Sequence, residues 1–210
     1  VIYIALSIIT AYLVGAIPTA YIFGRILKGI DIREYGSGNV GATNVVRAVG
    51  KIPGIIVLAI DFLKGVAVVT VIPPNIQRFF PEAAGSQAYG FIYILAGAAA
   101  IAGHIWPVFL KFKGGKGVAT SAGVMAGLSP WILLAGLGIW AVVFSIWKYV
   151  SLASVVAAVA LPVLAVLAGK KLDFIIFCAV LCLVGVCTHR SNIKRLIQGT
   201  EGRIVKVKKS

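Results

Sequence analysis

Acidic side chains are scarce: 6 of them in 210 residues, against 20 lysines and arginines. Charge of either sign is thin too, at 12% of residues, where soluble domains carry about 25%. With 60% hydrophobic residues, that shortage excludes an ordinary soluble domain and makes lipid part of the solvent. The three cysteines, Cys178, Cys182 and Cys187, all fall inside one apolar run. They provide neither a disulfide framework nor zinc-site spacing and read as small apolar helix residues. No basic stretch precedes the first apolar run, which predicts a retained span rather than a cleaved leader. There is no internal repeat, low-complexity tract or soluble appendage, so residues 1–210 read as a single integral membrane domain.

What the sequence has in plenty is apolar stretches of spanning length. They run from Ile2 to Phe23, Ile52 to Ile72, Ala88 to Ile105, Pro130 to Trp147, Val150 to Ala168 and Phe174 to Thr188. A seventh, Val118 to Leu128, holds about two-thirds of the residues a straight span wants. It must be a short tilted helix, a re-entrant segment or an extension of its neighbour. Pro73 to Gln87 reads as the one sizeable outer connector, with a Phe79-Phe80 pair.

Charge decides whether the short stretch crosses, because short cytoplasmic loops collect lysine and arginine. If it crosses, one side gathers nearly every basic residue and leaves only Arg78, Lys170 and Lys171 opposite. If it does not, the basic residues after Thr188 move across and the asymmetry largely disappears. The expected fold is therefore an all-α polytopic membrane protein of seven transmembrane helices, N-terminus outside and C-terminus cytoplasmic. The net charge of +14 is scattered between apolar runs, which fits anionic headgroups or phosphorylated small molecules and argues against a nucleic-acid partner. The KVKKS ending reads as a solvated tail near anionic lipid.

Three segments on that one face carry the suggestive chemistry. Tyr35-Gly-Ser-Gly-Asn-Val-Gly-Ala-Thr-Asn-Val-Val-Arg47 sets Gly36, Gly38 and Gly41 among hydroxyls and amides, which suits a nest of N–H groups around an oxyanion. Thr43 and Arg47 are four apart and would share a face near a helix N-terminus. The formal G-x-G-x-x-G match lacks the strand and βαβ unit that a dinucleotide site requires, and no G-K-[ST] closes a Walker A loop.

The second segment, Gly103 to Ser121, places Lys116 between glycines just before a helix start, where backbone and ammonium can both approach an anion. Lys111 and Lys113 flank Phe112 and read as headgroup anchors, and His104 reads as a hydrogen-bonded packing residue rather than a catalytic one. In the third segment, Thr188 to Glu201, His189 and Asn192 are three apart on a short helix expected to face the bundle mouth. On spacing alone His189 serves equally as general base, phosphate donor or structural residue. Glu201 reads as half of a structural ion pair. Within the membrane, Asp61 and Lys64 lie three apart and read as an internal ion pair, favoured over a transport role.

Phosphate-friendly segments at the mouth of an apolar bundle point to an amphiphile being made or modified, its tail in the bilayer. Only Asp31, Glu34 and Glu201 sit on that face, too few for a Mg²⁺ site, so neither metal nor cofactor is expected. No G-x-S-x-G elbow marks a serine nucleophile. A metal-free transfer by positioning and charge remains. An organophosphate transporter is the alternative, although transporters tend to show paired repeats and midplane sites. A lipid-binding scaffold gives no reason for so many glycines beside Arg47 and Lys116.

The strings GSGNVGATNVVR, GHIWPVFLKFKGGKGVAT and HRSNIKRLIQGTE, in this order and spacing, resemble the three motifs of the bacterial membrane acyl-phosphate:glycerol-3-phosphate acyltransferases, the PlsY family. The likeness covers essentially the whole chain. It implies transfer of a fatty acyl group from acyl phosphate to the sn-1 hydroxyl of glycerol 3-phosphate, yielding lysophosphatidic acid and inorganic phosphate. It further implies a monomer in the bacterial inner membrane, among membrane lipids, with its active site facing the cytoplasm. Ser37, Gly38, Asn39 and Thr43 would surround phosphate and Arg47 would hold glycerol 3-phosphate. Lys116 would be the phosphate-contacting cation in a pocket shaped by Gly114, Gly115 and Gly117. His189 and Asn192 would stand at the substrates with Glu201 in support. The hydroxyl proton then goes to His189 or to a phosphate oxygen of the donor.

Overall fold

A computed structural model describes residues 2–80 and 88–203. The described residues are helical throughout, joined by turns and short 3-10 segments. The outer-connector residues 81–87 and the KVKKS ending lie outside them. The chain divides into two compact units, Val1–Ser129 and Pro130–Ser210.

The first unit holds α1 (Ile2–Gly15), α2 (Thr19–Lys28), α3 (Ala42–Ala48), α4 (Lys51–Phe79), α5 (Ala88–Ile105) and α6 (Val118–Leu128). The expected first span, Ile2 to Phe23, is broken into α1 and α2 because Pro18, with no N–H, sits between them. Helix then continues to Lys28, so Arg25 and Lys28 ride the last turn of α2 rather than a loop. α4 also departs from expectation: it passes through Pro73 and Pro74 to Phe79 instead of ending at Ile72. Each proline frees the carbonyl four residues back, here those of Val69 and Thr70, a loss that membrane helices tolerate. At 29 residues α4 is about 43 Å long, more than a hydrocarbon core is thick, so it must tilt or project.

Small residues set the helix crossings. A side chain on Gly123 of α6 would strike the Phe62 carbonyl of α4, and one on Gly65 of α4 would strike the Thr120 carbonyl of α6. α1 and α5 meet the same way, through Gly15 against Ala100 and Gly103 against Tyr12. In lipid, where apolar side chains gain little by leaving one solvent for another, such close backbone approach supplies much of the attraction. It explains how α6, only 11 residues long, is seated against α4.

The second unit holds α7 (Pro130–Trp147), α8 (Val150–Leu167), α9 (Leu172–Thr188) and α10 (Arg190–Ile197). Connections of two to four residues make consecutive long helices antiparallel neighbours. Trp140 of α7 donates its indole N–H to Ser154 of α8 at 3.2 Å. α9 and α10 meet at a bend of 59°.

Among the described residues, five helical stretches are long and apolar enough to cross a membrane, and the bent α9–α10 pair makes up to six. α6 is apolar but short.

Candidate functional site

The first motif is a loop built around one buried side chain. Asn44, on α3, accepts the Ser37 N–H on its Oδ1 at 2.8 Å and donates through Nδ2 to the carbonyls of Ile32 (3.0 Å) and Tyr35 (2.9 Å). Gly36 has φ +59°, and any side chain there would also run into Asn44 Oδ1, so glycine is required twice over. Ahead of the loop, Asp31 caps a 3-10 turn (Ile32–Glu34) and binds the Arg33 guanidinium at 2.6 and 2.9 Å. Those Arg33 hydrogen bonds hold the Asp31 carboxyl down at about 2.

Ser37, Gly38, Thr43 and Arg47 are exposed and Asn39 is half-buried, which leaves them open to a ligand. α3 is only seven residues, so Arg47 falls in its last turn and not near its N-terminus as expected. The helix stops there because the chain must turn at Gly50, φ +144°, to start α4.

The second motif is a tight return after α5. Lys111 and Phe112 both adopt left-handed backbone, at φ +53° and +61°. The chain doubles back so that Gly114 N–H donates to the Ile105 carbonyl (3.0 Å) and Gly115 N–H to the His104 carbonyl (3.1 Å). Lys116 follows, half-buried, and Gly117 at φ +79° leads directly into α6. Helix N-termini present unpaired N–H groups to an anion, and Lys116 stands at this one. The two motifs meet: a side chain on Gly115 would collide with the Val40 carbonyl, and Val40, Gly114 and Pro107 line one small cleft with Thr19, Asp61 and His104.

Asp61 and Lys64 form the expected ion pair, at 2.8 Å. His104, expected as a hydrogen-bonded packing residue, is buried with Nδ1 3.0 Å from Lys64 Nζ. That it joins the Asp61–Lys64 pair was not legible, because 40 residues separate the two.

In the second unit the third motif straddles the α9–α10 bend. His189 is buried and its Nδ1 lies 2.8 Å from the Gly185 carbonyl. A carbonyl only accepts, so Nδ1 carries a proton and a neutral ring presents Nε2 as acceptor. Asn192, also buried, donates to Glu201 at 2.6 Å, and the same carboxylate accepts from Ser151 (2.7 Å) and Arg195 (2.7 Å). Burial pushes the Glu201 carboxyl up, but the hydrogen bonds from Asn192, Ser151 and Arg195 outweigh it and leave it below its ordinary value. Glu201 thus makes the structural ion pair read from sequence and also fixes the Asn192 amide. Asn44 and Ser151 were missed. A polar residue inside a glycine-rich string was a usable signal for Asn44, whereas nothing local marks Ser151, 50 residues from its partner.

A family model described as glycerol-3-phosphate acyltransferase matches residues 5–199. The chain is 43% identical over 201 residues to glycerol-3-phosphate acyltransferase 2 of Moorella thermoacetica, covering 95% of this chain and 96% of the relative. It is 45% identical over 196 residues to the glycerol-3-phosphate acyltransferase of Parasynechococcus marenigrum, covering 92% and 86%. Among solved structures it superposes on PlsY, an integral membrane glycerol 3-phosphate acyltransferase, in its glycerol 3-phosphate form. The TM-score is 0.85 at 38% identity, over 96% of each chain. The lysophosphatidic acid form gives 0.82 at 37% identity, over 96% and 95%.

Proposed function

Because this chain belongs to the glycerol-3-phosphate acyltransferase family, we propose that it transfers a fatty acyl group from acyl phosphate to the sn-1 hydroxyl of glycerol 3-phosphate, releasing inorganic phosphate. The observation that carries the donor assignment is the junction of the first two motifs, where Val40 of one loop and Gly114 of the other line the same small cleft and Gly115 packs on the Val40 carbonyl, with Arg47 following on α3 and Lys116 at the start of α6. Acyl phosphate is a mixed anhydride with a good leaving group, so positioning and charge suffice. Two phosphate dianions must be brought together, and Arg47, Lys116 and loop N–H groups offset their repulsion in a partly dry site.

The sn-1 oxygen attacks the acyl carbonyl, the bond from carbonyl carbon to phosphate oxygen breaks, and the hydroxyl proton ends on the departing phosphate. Direct transfer to a phosphate oxygen is the proposed route. His189, its Nε2 an acceptor in the neutral ring, orients the hydroxyl, and Asn192, held by Glu201, binds beside it. Ser37, Gly38, Asn39 and Thr43 surround a phosphate, and Gly114, Gly115 and Gly117 shape the pocket under Lys116.

We further propose seven crossings with α6 as one of them, the N-terminus outside, all three motifs on the cytoplasmic face of the bacterial inner membrane, and function as a monomer. The lysine and arginine bias of the loops supports this topology.

One assay tests the reaction: purified protein in detergent with acyl phosphate and labelled glycerol 3-phosphate, scored for labelled lipid and free phosphate. The expected result is lysophosphatidic acid, with K116A and R47A each lowering kcat/KM by about a thousandfold. Uptake of label into vesicles without a lipid product would overturn the reading. For the proton, the acid limb of the pH–rate profile is expected at about 6, where the substrate phosphates themselves titrate, and is expected to stay there in the residual activity of H189A; a limb that vanishes with the imidazole would give the base role to His189. Thiol labelling of single cysteines at positions 37, 116 and 192 checks the common face.

A further inference from the structure

The buried charges under the second motif are not used by the chemistry above. Asp61, Lys64 and His104 are 2%, 7% and 9% exposed. Lys64 Nζ lies 2.8 Å from Asp61 Oδ1, 3.2 Å from the Ile17 carbonyl and 3.0 Å from His104 Nδ1. An ammonium has three N–H donors, and three acceptors surround this one. A neutral amine could meet the same contacts only by accepting from an Nδ1–H ring, and would leave the Asp61 carboxylate, 2.8 Å away, buried without its counter-charge, so the ammonium is the form this pair holds. His104 Nδ1 must therefore accept, and the proton of the neutral ring sits on Nε2. His104 Nδ1 is 3.7 Å from Asp61 Oδ1, too long for a hydrogen bond that would favour the other tautomer. Thr19 Oγ1 donates to the same carboxylate oxygen at 3.1 Å and helps to fix it.

The other end of the ring meets the phosphate loop. A side chain on Gly115 would strike His104 Nε2 as well as the Val40 carbonyl, so the ring edge, the first motif and the second motif share one contact point. The His104 carbonyl also receives the Gly115 N–H. A single residue thus holds the loop by its backbone and supports it by its ring.

We propose that Asp61 and Lys64 are positioning residues that lock His104 as the Nε2–H tautomer beneath the Gly114–Gly117 loop, and that this lock holds the loop in the shape that receives the phosphate of the acyl donor. The second half of the inference rests on the reaction proposed above, while the tautomer stands without it.

The test starts with the intact protein in micelles, ¹⁵N-labelled at histidine. The chain has 2 histidines, so comparison with H104Q assigns both resonances. The expected His104 spectrum shows a bare Nδ1 and a protonated Nε2. A protonated Nδ1 would overturn the lock. The D61N/K64M double variant, which removes both buried charges together and leaves neither unpaired, should show a mixture of tautomers. Wild-type tautomer purity in that variant would overturn the role of the pair. In steady state, H104A should raise KM for acyl phosphate by about one to two orders of magnitude with a smaller change in kcat. H104Q, whose amide N–H reaches the Nε2 position, should recover most of it. An unchanged KM in H104A, or no recovery in H104Q, would overturn the loop-holding role. If wild-type protein made no lipid product at all, the reaction assignment would fall while the ¹⁵N spectrum still decided the lock.

Discussion

The first-unit loops and the second-unit bend carry candidate site residues in opposite ways. In the first motif the candidate side chains Ser37, Thr43 and Arg47 are exposed, and a different residue, Asn44, is buried and holds the backbone of their loop. At the bend the candidate residues themselves, His189 and Asn192, are buried and held through their own polar atoms. The difference follows from what each backbone can do alone. A glycine-rich loop has little intrinsic order, so something rigid must fill its turn, whereas a helix already fixes the backbone and needs only side-chain orientation.

The comparison breaks most visibly at Asn44. N44A takes the acceptor from the Ser37 N–H and one of the two donors from each of the Ile32 and Tyr35 carbonyls, and should cost about 1 to 3 kcal/mol of stability. Activity should fall by about a hundredfold, although Asn44 is buried beneath the loop surface. Thermal melts and KM for both substrates check it. Equal loss with Asn44→Asp, which keeps the acceptor for Ser37 but not the donor, would show that both halves of the amide matter.

A smaller effect is expected at Glu201. E201Q keeps the shape but removes the charge that Arg195 and Asn192 bind, and should lower kcat by about tenfold. Because the folded carboxyl is held below its ordinary value, its contribution to stability is present above the usual carboxylate range, near 4.3, and is lost as pH falls through the lowered value. Melting temperature against pH should show that acid-side loss in wild type and not in E201Q.

The smallest effect belongs to Asp31. Its pairing with Arg33, half-exposed, is screened by solvent, so D31N should shift the melting temperature little. The sign is the same: stability present above about 4 and lost as pH falls toward about 2. A D31N defect as large as that of N44A would erase the distinction between a keystone and a cap paired with a part-exposed arginine.

Much of this was readable in advance. Five of the six long apolar runs became single long helices and the first became two, and the ion pair Asp61–Lys64 and the carboxylate role of Glu201 were local enough to infer. The breaks were less so. Pro18 splits one helical run, with the Val14 carbonyl taken by the Ile17 N–H at 3.3 Å as the chain turns, while Pro73 and Pro74 split none, and a proline in the sequence does not by itself say which will happen. Arg47 was expected near a helix start and lies at a helix end, since seven residues of helix were all that fitted before Gly50.

By itself the sequence determined the apolar lengths, the glycines at left-handed backbone such as Gly36 and Gly117, and the cations beside them, because each of these is set by a residue and its immediate neighbours. Only the tertiary structure decided that Asn44 fills the loop from Ile32 to Ser37, that His104 closes on Lys64, and that Ser151 meets Glu201. Those partners lie 7 to 50 residues apart, and a polar atom finds its acceptor only after helix packing has brought both out of water.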